Sequence, residues 1–392
     1  MVSIVTVEKA LKTLYIGAIS DQLNTETDPF SSRIRRTSEA ITGNNGIVRA
    51  AQIGLNGGFG AGTETGALPD PGENMYENLT STTKNLYGTI RISDKALKSI
   101  RGNDKGAFAN LIQREIDTMI KTAKWHFARQ IYGSAKGKLA TCKANSSAAN
   151  KISVDSTQFL IPGITIDILN SSGGDVAVRR RVTDVDHKNK TITISGAATA
   201  VTATDFIVTQ KSHNLELTGL EDIFNTGLTT LYGVTRADHS WINPLVDTMG
   251  SITETGLQDA ITRCEDVFNV KIDYISAGND AYLSYMKLLK TYNRIVNTTT
   301  LKGGATALKF NELDIVRNKF APRDGMDLLD TSVFTIDEVA DWDWIEGPTR
   351  SIFNQTEGAA TYNATLVKYA DLMCLTPGGL CRLKGITDPA EA

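Results

Sequence analysis

The residues most suggestive of chemistry form the glycine-rich stretch GLNGGFGAGTETGALPDPGEN at positions 54–74. A phosphate-binding P-loop needs a lysine followed by Ser or Thr after its last glycine, because the lysine reaches the terminal phosphates. Thr63 stands where that lysine would be, and it also replaces the third glycine of a dinucleotide-binding loop. Pro69 and Pro71 keep a helix from opening there. The pattern therefore argues against a phosphate site and favours a linker or a long arm that orders against a neighbouring chain.

Histidine, cysteine and acidic residues form no catalytic or metal-binding pattern. His126 lies beside Trp125 in a helical pattern, where packing or solvation is favoured over chemistry, and Cys264 is expected to pack in a core. The segment TDVDHKNKT at 183–191 lacks the glycine and the final glutamate of a calcium loop, so it predicts a charged hairpin turn. The remaining histidines and cysteines are scattered without zinc spacing: His187, His213, His239, Cys142, Cys374 and Cys381. We predict no catalytic residue, no metal and no cofactor.

Two further clusters have both a functional and a plainer interpretation. The triplet Arg179–Arg181 could contact nucleic acid, but strand alternation puts only two of the three on one face, which favours a solvated face or a subunit contact. The segment DWDW at 341–344 puts both tryptophans on one strand face. A carbohydrate platform is one interpretation of it, and a half-buried strand is the favoured one.

Composition is that of an ordinary globular protein. The 392-residue chain is 41% hydrophobic and 22% charged, with a formal net charge of −3, which argues against a dedicated nucleic-acid binder. No apolar run is long enough for a membrane span, and the first residues make a poor signal peptide. We therefore expect synthesis inside the cell, with the thiols reduced.

The elements around the glycine-rich stretch form an unusual order. Residues 7–24 predict an amphipathic helix, and 25–46 predict an extended polar arm with too few apolar residues to pack on itself. Strand-like runs at 46–55 and 74–93 flank the glycine-rich tip, which indicates a long two-stranded excursion. Such a hairpin is too polar to form its own core and needs another surface.

The strongest local signal follows at 105–132. Nine apolar residues recur there at helical spacing, a capping residue is expected at Asn103 or Asp104, and Gly133 marks the end. A helix of this length spans about 42 Å. Residues 134–150 then predict a linker, and 151–212 predict short antiparallel strands of an inserted barrel or sandwich.

The rest of the chain has a mixed α/β pattern. Helices are predicted at 255–268 and 279–296, and strands at 271–278, 310–322, 327–337, 342–347 and within 359–386.

In this order of parts the chain resembles the major capsid protein of tailed bacteriophages, which has the Hong Kong 97-type fold. The segments that carry the resemblance are GFGAGTETGALPDPGENMYENLTSTTKNLYGTIRISDKAL before the long helix, YGVTRADHSWINPLVD (232–247), YISAGNDAYLSYMKLLKTYNRIV (274–296) and LKFNELDIVRNKFAPRDGMDLLDTSVFTI (308–336). No single motif is diagnostic, and the similarity rests on the sequence of elements over nearly the whole chain.

The resemblance implies an α+β fold whose parts follow one another along the chain. They are an N-terminal arm at 1–45, an extended loop at 46–93, a peripheral domain at 94–150 with its spine helix at 105–132, an inserted antiparallel β-barrel at 151–212, an axial domain at 213–340, and a return to the peripheral domain at 341–392.

It also implies a non-enzymatic role. Copies of the chain would form pentamers and hexamers that tile an icosahedral shell around double-stranded DNA, contacted non-specifically and away from any membrane. The shell would assemble in the host cytoplasm and become the virion capsid. No long charged helical segment precedes the arm, so either assembly uses a separate scaffolding protein, which Met1 favours, or the chain is a matured form. A portal and in some cases a decoration protein are expected as well.

Residues of the arm, the loop and the following strand are the candidates for contacts between subunits. They are the charged or bulky residues on segments that cannot bury themselves: Arg33, Arg35, Arg36, Phe59, Glu64, Asp70, Glu73, Lys84 and Arg91.

Three other functions stay open from the sequence. The first is an encapsulin-type compartment shell, which uses the same fold around cargo enzymes. The second is another phage structural protein, such as a tail or adaptor protein with a β-barrel module. The third is a sugar-acting enzyme that uses Asp341, Trp342, Asp343 and Trp344.

Overall fold

A computed structural model gives the architecture of the chain. It describes residues 28–42, 46–95, 105–145, 147–268, 270–291, 298–300, 306–347 and 351–389. The predicted helix at 7–24 and the predicted cap at Asn103 or Asp104 lie outside the described residues.

Four α-helices are described, and the first is by far the longest. They are α1 Lys105–Tyr132, α2 Leu220–Phe224, α3 Glu254–Phe268 and α4 Asn279–Thr291. Helix α1 has the bounds that its apolar spacing predicts, and Gly133 follows its last residue. From residue 116 onward, Ile116, Ile120, Phe127 and Ile131 are buried, which confirms that part of the predicted stripe.

Twenty-two strands are described. The first ten are β1 Arg35–Thr37, β2 Gly46–Gln52, β3 Tyr76–Thr82, β4 Lys84–Ser93, β5 Lys138–Thr141, β6 Lys151–Ser153, β7 Thr165–Leu169, β8 Asp175–Asp186, β9 Thr191–Ile194 and β10 Phe206–Thr209. The others are β11 Thr230–Leu231, β12 Val234–Thr235, β13 Leu245–Thr248, β14 Tyr274–Ala277, β15 Thr298–Thr300, β16 Thr306–Phe310, β17 Leu313–Arg317, β18 Met326–Leu329, β19 Phe334–Trp344, β20 Asn354–Gln355, β21 Thr361–Cys374 and β22 Cys381–Lys384.

The largest core lies between α1 and a five-stranded sheet. The sheet has the order β1-β19-β21-β20, and β4 also pairs with β21. Strand β21 pairs with β19 on one side and β4 on the other, and its C-terminal half is almost entirely buried. Apolar residues of α1, of the β2–β3 hairpin and of 217–242 join this core.

A second core lies against a seven-stranded sheet of order β13-β22-β18-β14-β17-β16-β15. Helices α3 and α4 contribute its apolar residues on the helical side. The C-terminal strand β22 pairs with both β13 and β18, so it belongs to this sheet. The sequence-based division groups all of 341–392 together, whereas the structure pairs β21 with β19 and β4 but pairs β22 with β13 and β18 of this second sheet. Strand pairing across more than a hundred residues leaves no local pattern.

A third core lies inside a six-stranded antiparallel sheet of order β5-β10-β7-β8-β9-β6. Backbone hydrogen bonds from the Lys143 amide to the Ser153 carbonyl oxygen (2.8 Å) and from the Asp155 amide to the Thr141 carbonyl oxygen (3.0 Å) link its first and last strands. Strand β5 lies within 134–150, so that segment is more than a linker. Only Leu139 and Ala140 are apolar enough there to signal a strand, which is why the pattern was missed.

The arm differs from its prediction. Phe30 is fully buried, and its ring lies 5.2–6.0 Å from the rings of Tyr132, Tyr274 and Phe334. Strand β1 adds in parallel to β19. Residues 28–37 therefore pack within their own subunit, because one large aromatic residue and one strand pairing suffice to hold a short polar segment.

Candidate intersubunit surface

The predicted two-stranded excursion is present as the β2–β3 hairpin. Its antiparallel register runs from Gly46↔Thr82 to Gln52↔Tyr76, and residues 53–75 form the loop between the strands, which we call the tip. Inside the tip the Asn56 side chain donates to the Gly72 carbonyl oxygen at 3.0 Å and accepts from the Gly58 amide at 2.8 Å. The tip therefore has local hydrogen bonds but contributes no residue to a core.

Large apolar side chains of the tip are exposed to solvent. Leu55 is 89% exposed, Phe59 97% and Leu68 89%. Glu64, Asp70 and Glu73 are exposed as well, and residues 53–75 include no Lys or Arg. The tip is therefore an acidic and apolar surface that the subunit itself does not cover.

The base of the hairpin is tied to the five-stranded sheet by two buried aspartates. Asp337 on β19 and Asp371 on β21 face each other in the strand register, and both are fully buried. The Arg49 guanidinium of β2 donates to Asp337 at 2.8 and 2.5 Å, and these hydrogen bonds raise the pKa of Arg49. The Ser81 hydroxyl of β3 donates to Asp371 at 2.5 Å. Each hairpin strand thus has its own buried carboxylate partner.

The Asp371 carboxyl group has further hydrogen-bond partners. It also accepts hydrogen bonds from the Thr218 amide (2.8 Å) and hydroxyl (3.1 Å), but burial outweighs these contacts and raises its pKa to about 6. Its carboxyl group therefore joins the hairpin, β21 and the segment before α2.

The arginines predicted as contacts on the arm are engaged to different degrees. Arg33 forms an ion pair with Asp314 at 2.9 Å and lies over the Tyr274 ring. Arg36 lies over the Phe127 ring, and burial lowers its pKa. Arg35 is exposed and pairs with Glu39 one turn away. Of the three, Arg35 has the most freedom to meet a neighbour.

The other predicted contact residues lie along the hairpin and β4. Phe59, Glu64, Asp70 and Glu73 are together on the exposed tip. Lys84 is half-buried and donates to the Thr82 hydroxyl at 3.2 Å, and the exposed Arg91 donates to the Asn363 side-chain oxygen at 3.1 Å. Their contacts with another subunit remain a prediction.

The residues of the alternative sites are packing residues in the structure. Trp342 and Trp344 are 4% and 3% exposed, which leaves no aromatic platform for a sugar and confirms the half-buried strand. Burial, helped by Arg129, lowers the pKa of His126 to about 3, so this imidazole is neutral beside Trp125. Cys264 is fully buried, as expected for a core residue.

Sequence reasoning missed three buried cations, Arg129, Lys368 and Arg382, that form ion pairs. Arg129 pairs with Glu216 at 2.5 Å, and the six-stranded sheet β5–β10 lies between these two residues along the chain. Lys368 pairs with Glu338 (2.5 Å) and Asp341 (3.0 Å), and Arg382 pairs with Asp327 (2.6 Å) and Glu221 (2.5 Å). The only local signal is a lone cation inside an apolar run, as in TLVKYAD at 365–371.

Among the described residues no group of His, Cys, Asp and Glu side chains is arranged to hold a metal ion. The helices of that same part of the chain include none long and apolar enough to cross a membrane.

Comparison with known proteins gives similarity at the level of the fold. No protein-family model and no curated protein sequence matches the chain. A chain of the cyanophage A-1(L) capsid asymmetric unit superposes with a TM-score of 0.53 at 11% identity, covering 94% of this chain and 92% of that one.

Two other similarities have TM-scores below 0.5. The capsid of a native GTA particle gives 0.46 at 9% identity, covering 91% of this chain and 90% of that one. The SrpI encapsulin of Synechococcus elongatus gives 0.43 at 10% identity, covering 80% and 78%. The cyanophage similarity, at more than nine tenths of both chains, is the one that defines the fold. The chain has the Hong Kong 97-type fold of bacteriophage capsid proteins.

Proposed function

We propose that this chain is the major capsid protein of a tailed bacteriophage, and that its copies assemble as pentamers and hexamers into an icosahedral shell around double-stranded DNA. The observation that carries the proposal is the tip, where Leu55, Phe59 and Leu68 are 89–97% exposed on a hairpin whose base is firmly held. Three large apolar side chains so fully exposed on one loop favour a surface that another molecule covers.

A neighbouring copy of the chain can bury the tip without a rearrangement of the rest of the subunit. The polar tip gains buried apolar area and hydrogen bonds only when it lies on another surface, whereas the subunit beneath it is already complete. Repeated by symmetry, such contacts stabilise a closed shell without one tight interface. The near-neutral chain also suits a container that must neither grip DNA nor repel its own copies.

The parts of the subunit acquire roles under this proposal. Residues 46–93 act as the extended loop and α1 as the spine of the peripheral domain, with the five-stranded sheet beside it. The seven-stranded sheet with α3 and α4 forms the axial domain, which includes β22. The six-stranded sheet, with its first and last strands linked, acts as a barrel-like inserted domain between Lys138 and Thr209.

Further partners follow from the same proposal. A separate scaffolding protein directs assembly, a portal occupies one vertex, and packaged DNA is contacted through its phosphates without sequence preference. A decoration protein on the outer surface is an optional addition.

Electron microscopy of the purified protein, with and without a co-expressed scaffold candidate, tests the proposal. We expect closed polyhedral particles or pentameric and hexameric capsomers. Deletion of residues 56–72 should leave the subunit folded, by circular dichroism, yet abolish closed shells. A discrete monomer under all conditions, or unaltered shells from the deletion variant, would overturn the proposal.

Point variants separate the tip from the rest of the surface. Phe59→Ser with Leu68→Ser should block assembly, whereas Leu283→Ser, at another exposed apolar position on α4, should not. Nuclease-protected double-stranded DNA in particles from infected cells distinguishes a phage capsid from a compartment, which would instead contain a cargo protein.

A further inference from the structure

The inserted sheet has a strongly basic outer face that its own subunit does not neutralise. On adjacent strands, Lys138 pairs in register with Val208, Val208 with Asp167, and Thr165 with Arg181. Arg179 and Lys211 belong to the same region of the sheet, because their backbone amides donate to the Asp167 carboxylate at 2.7 and 2.8 Å. We call Lys138, Arg179, Arg181 and Lys211 the basic face.

All four cationic side chains are exposed, and none forms an ion pair with any residue that the structure describes. The Asp167 carboxylate forms no ion pair with them either. Asp167 is 6% exposed and is already occupied by two backbone amides. The face therefore presents concentrated positive charge on a chain whose formal net charge is −3.

Apolar side chains border the basic face. Val176 and Val178, on the strand that carries Arg179, are 36% and 43% exposed, and Leu215, in the turn after Lys211, is 62% exposed. Exposing valine side chains to water costs free energy, and a binding partner removes that cost by covering them. A partner that has both carboxylates and apolar groups would complement the cations and the valines of this surface.

The tip of the hairpin has that composition. It carries Glu64, Asp70 and Glu73 without any basic residue, and it exposes the apolar residues already described. We propose that the basic face of the inserted domain is the docking surface for the tip of a second copy of this chain. This inference rests on the proposed shell function, and it adds which surface of the neighbour receives the tip.

Nucleic acid is the competing occupant, and the basic face is poorly equipped for it. No aromatic side chain lies among the exposed residues of the face, so bases have nothing to stack on, and four cations match few phosphates. Carboxylates of a polypeptide, flanked by apolar groups, match the surface better.

Charge reversal tests the docking. Lys138→Glu with Arg181→Glu should raise the subunit concentration needed for shell assembly about tenfold, the combined effect of losing two surface ion pairs. Both residues are exposed and neither side chain makes a hydrogen bond within the described subunit, so folding should be preserved. Lys271→Glu with Lys309→Glu, a matched change at exposed positions in the axial region, should have less than a twofold effect.

A compensating change identifies the occupant. Glu64→Lys with Asp70→Lys should impair assembly alone and restore it when combined with Lys138→Glu and Arg181→Glu. Wild-type assembly should also slow as salt rises, since exposed ion pairs are screened. Absence of rescue overturns the assignment of the tip, and normal assembly of the basic-face variant with weakened DNA binding reassigns the face to nucleic acid. If the wild-type protein forms no shells at all, the proposed function itself has failed.

Discussion

Removal of the Arg49 side chain should detach the hairpin from the subunit and destabilise the fold. Arg49→Met keeps most of the aliphatic stem but leaves Asp337 with a buried negative charge opposite Asp371. Breaking a buried ion pair from one side costs about 3–5 kcal/mol. The Arg49 side chain is 17% exposed while that of Asp337 is fully buried, so water offsets part of the loss and we expect about 3 kcal/mol.

Urea unfolding measures the global effect, and hydrogen–deuterium exchange at 46–52 and 76–82 measures the local one. Arg91→Met is the matched control, because Arg91 donates only to the neutral amide of Asn363 on an exposed surface; it should cost less than about 1 kcal/mol. Asp337→Asn added to Arg49→Met should recover much of the loss, since it removes the unpaired charge. Equal costs for the Arg49 and Arg91 variants would refute the buried-anchor explanation.

Three other predictions concern the same subunit. Burial raises the pKa of Asp371 from 3.8 to about 6, so the protonated carboxyl stabilises the fold below pH 4, and this stabilisation is lost as the pH rises to about 6. Asp371→Asn removes this pH dependence. In urea titrations the stability advantage of wild type over the variant should therefore shrink by about 3 kcal/mol between pH 4 and 7. Trp342→Ala should cost about 3–5 kcal/mol by thermal unfolding, whereas Asp343→Asn should change nothing measurable; a loss of sugar binding or turnover in the latter would revive the enzyme alternative. Gly278→Ala should destabilise the fold by about 1–3 kcal/mol or more, because its new Cβ would lie 1.8 Å from the Pro322 carbonyl oxygen. Gly57→Ala, where the new Cβ would meet no atom, should leave stability unchanged. Equal Tm values for these two variants would contradict the close approach at Gly278.

Local patterns predicted the elements whose own residues specify them. The helix at 105–132 was predictable because its apolar residues recur at helical spacing. The two-stranded excursion was predictable over 46–82 because turn formers separate two strand-like runs, whereas residues 84–93 form β4, which pairs with β21. The alternation in DWDW likewise predicted the burial of both tryptophans. In each case a few neighbouring residues decide the outcome.

Structure that depends on distant residues was not predictable in this way. The pairing of β22 could not be predicted locally because its partner strands begin at Leu245 and Met326. Arg129 meets Glu216 across 87 residues of sequence, and neither residue signals the other locally. Phe30 was assigned to an unpacked arm because a single aromatic residue carries no periodicity.

The contrast between a fixed base and a bare tip explains how the hairpin can bind without a large entropic cost. Association loses free energy for every segment that must be ordered on contact. Here Arg49 and Ser81 already hold both strands on the sheet through Asp337 and Asp371, so the direction of the hairpin is set before any neighbour arrives. The ordering cost is then confined to 53–75, where the exposed apolar side chains supply the compensating burial. A loosened base would spread that cost over the whole hairpin, so anchor variants should weaken assembly even under conditions where the subunit stays folded.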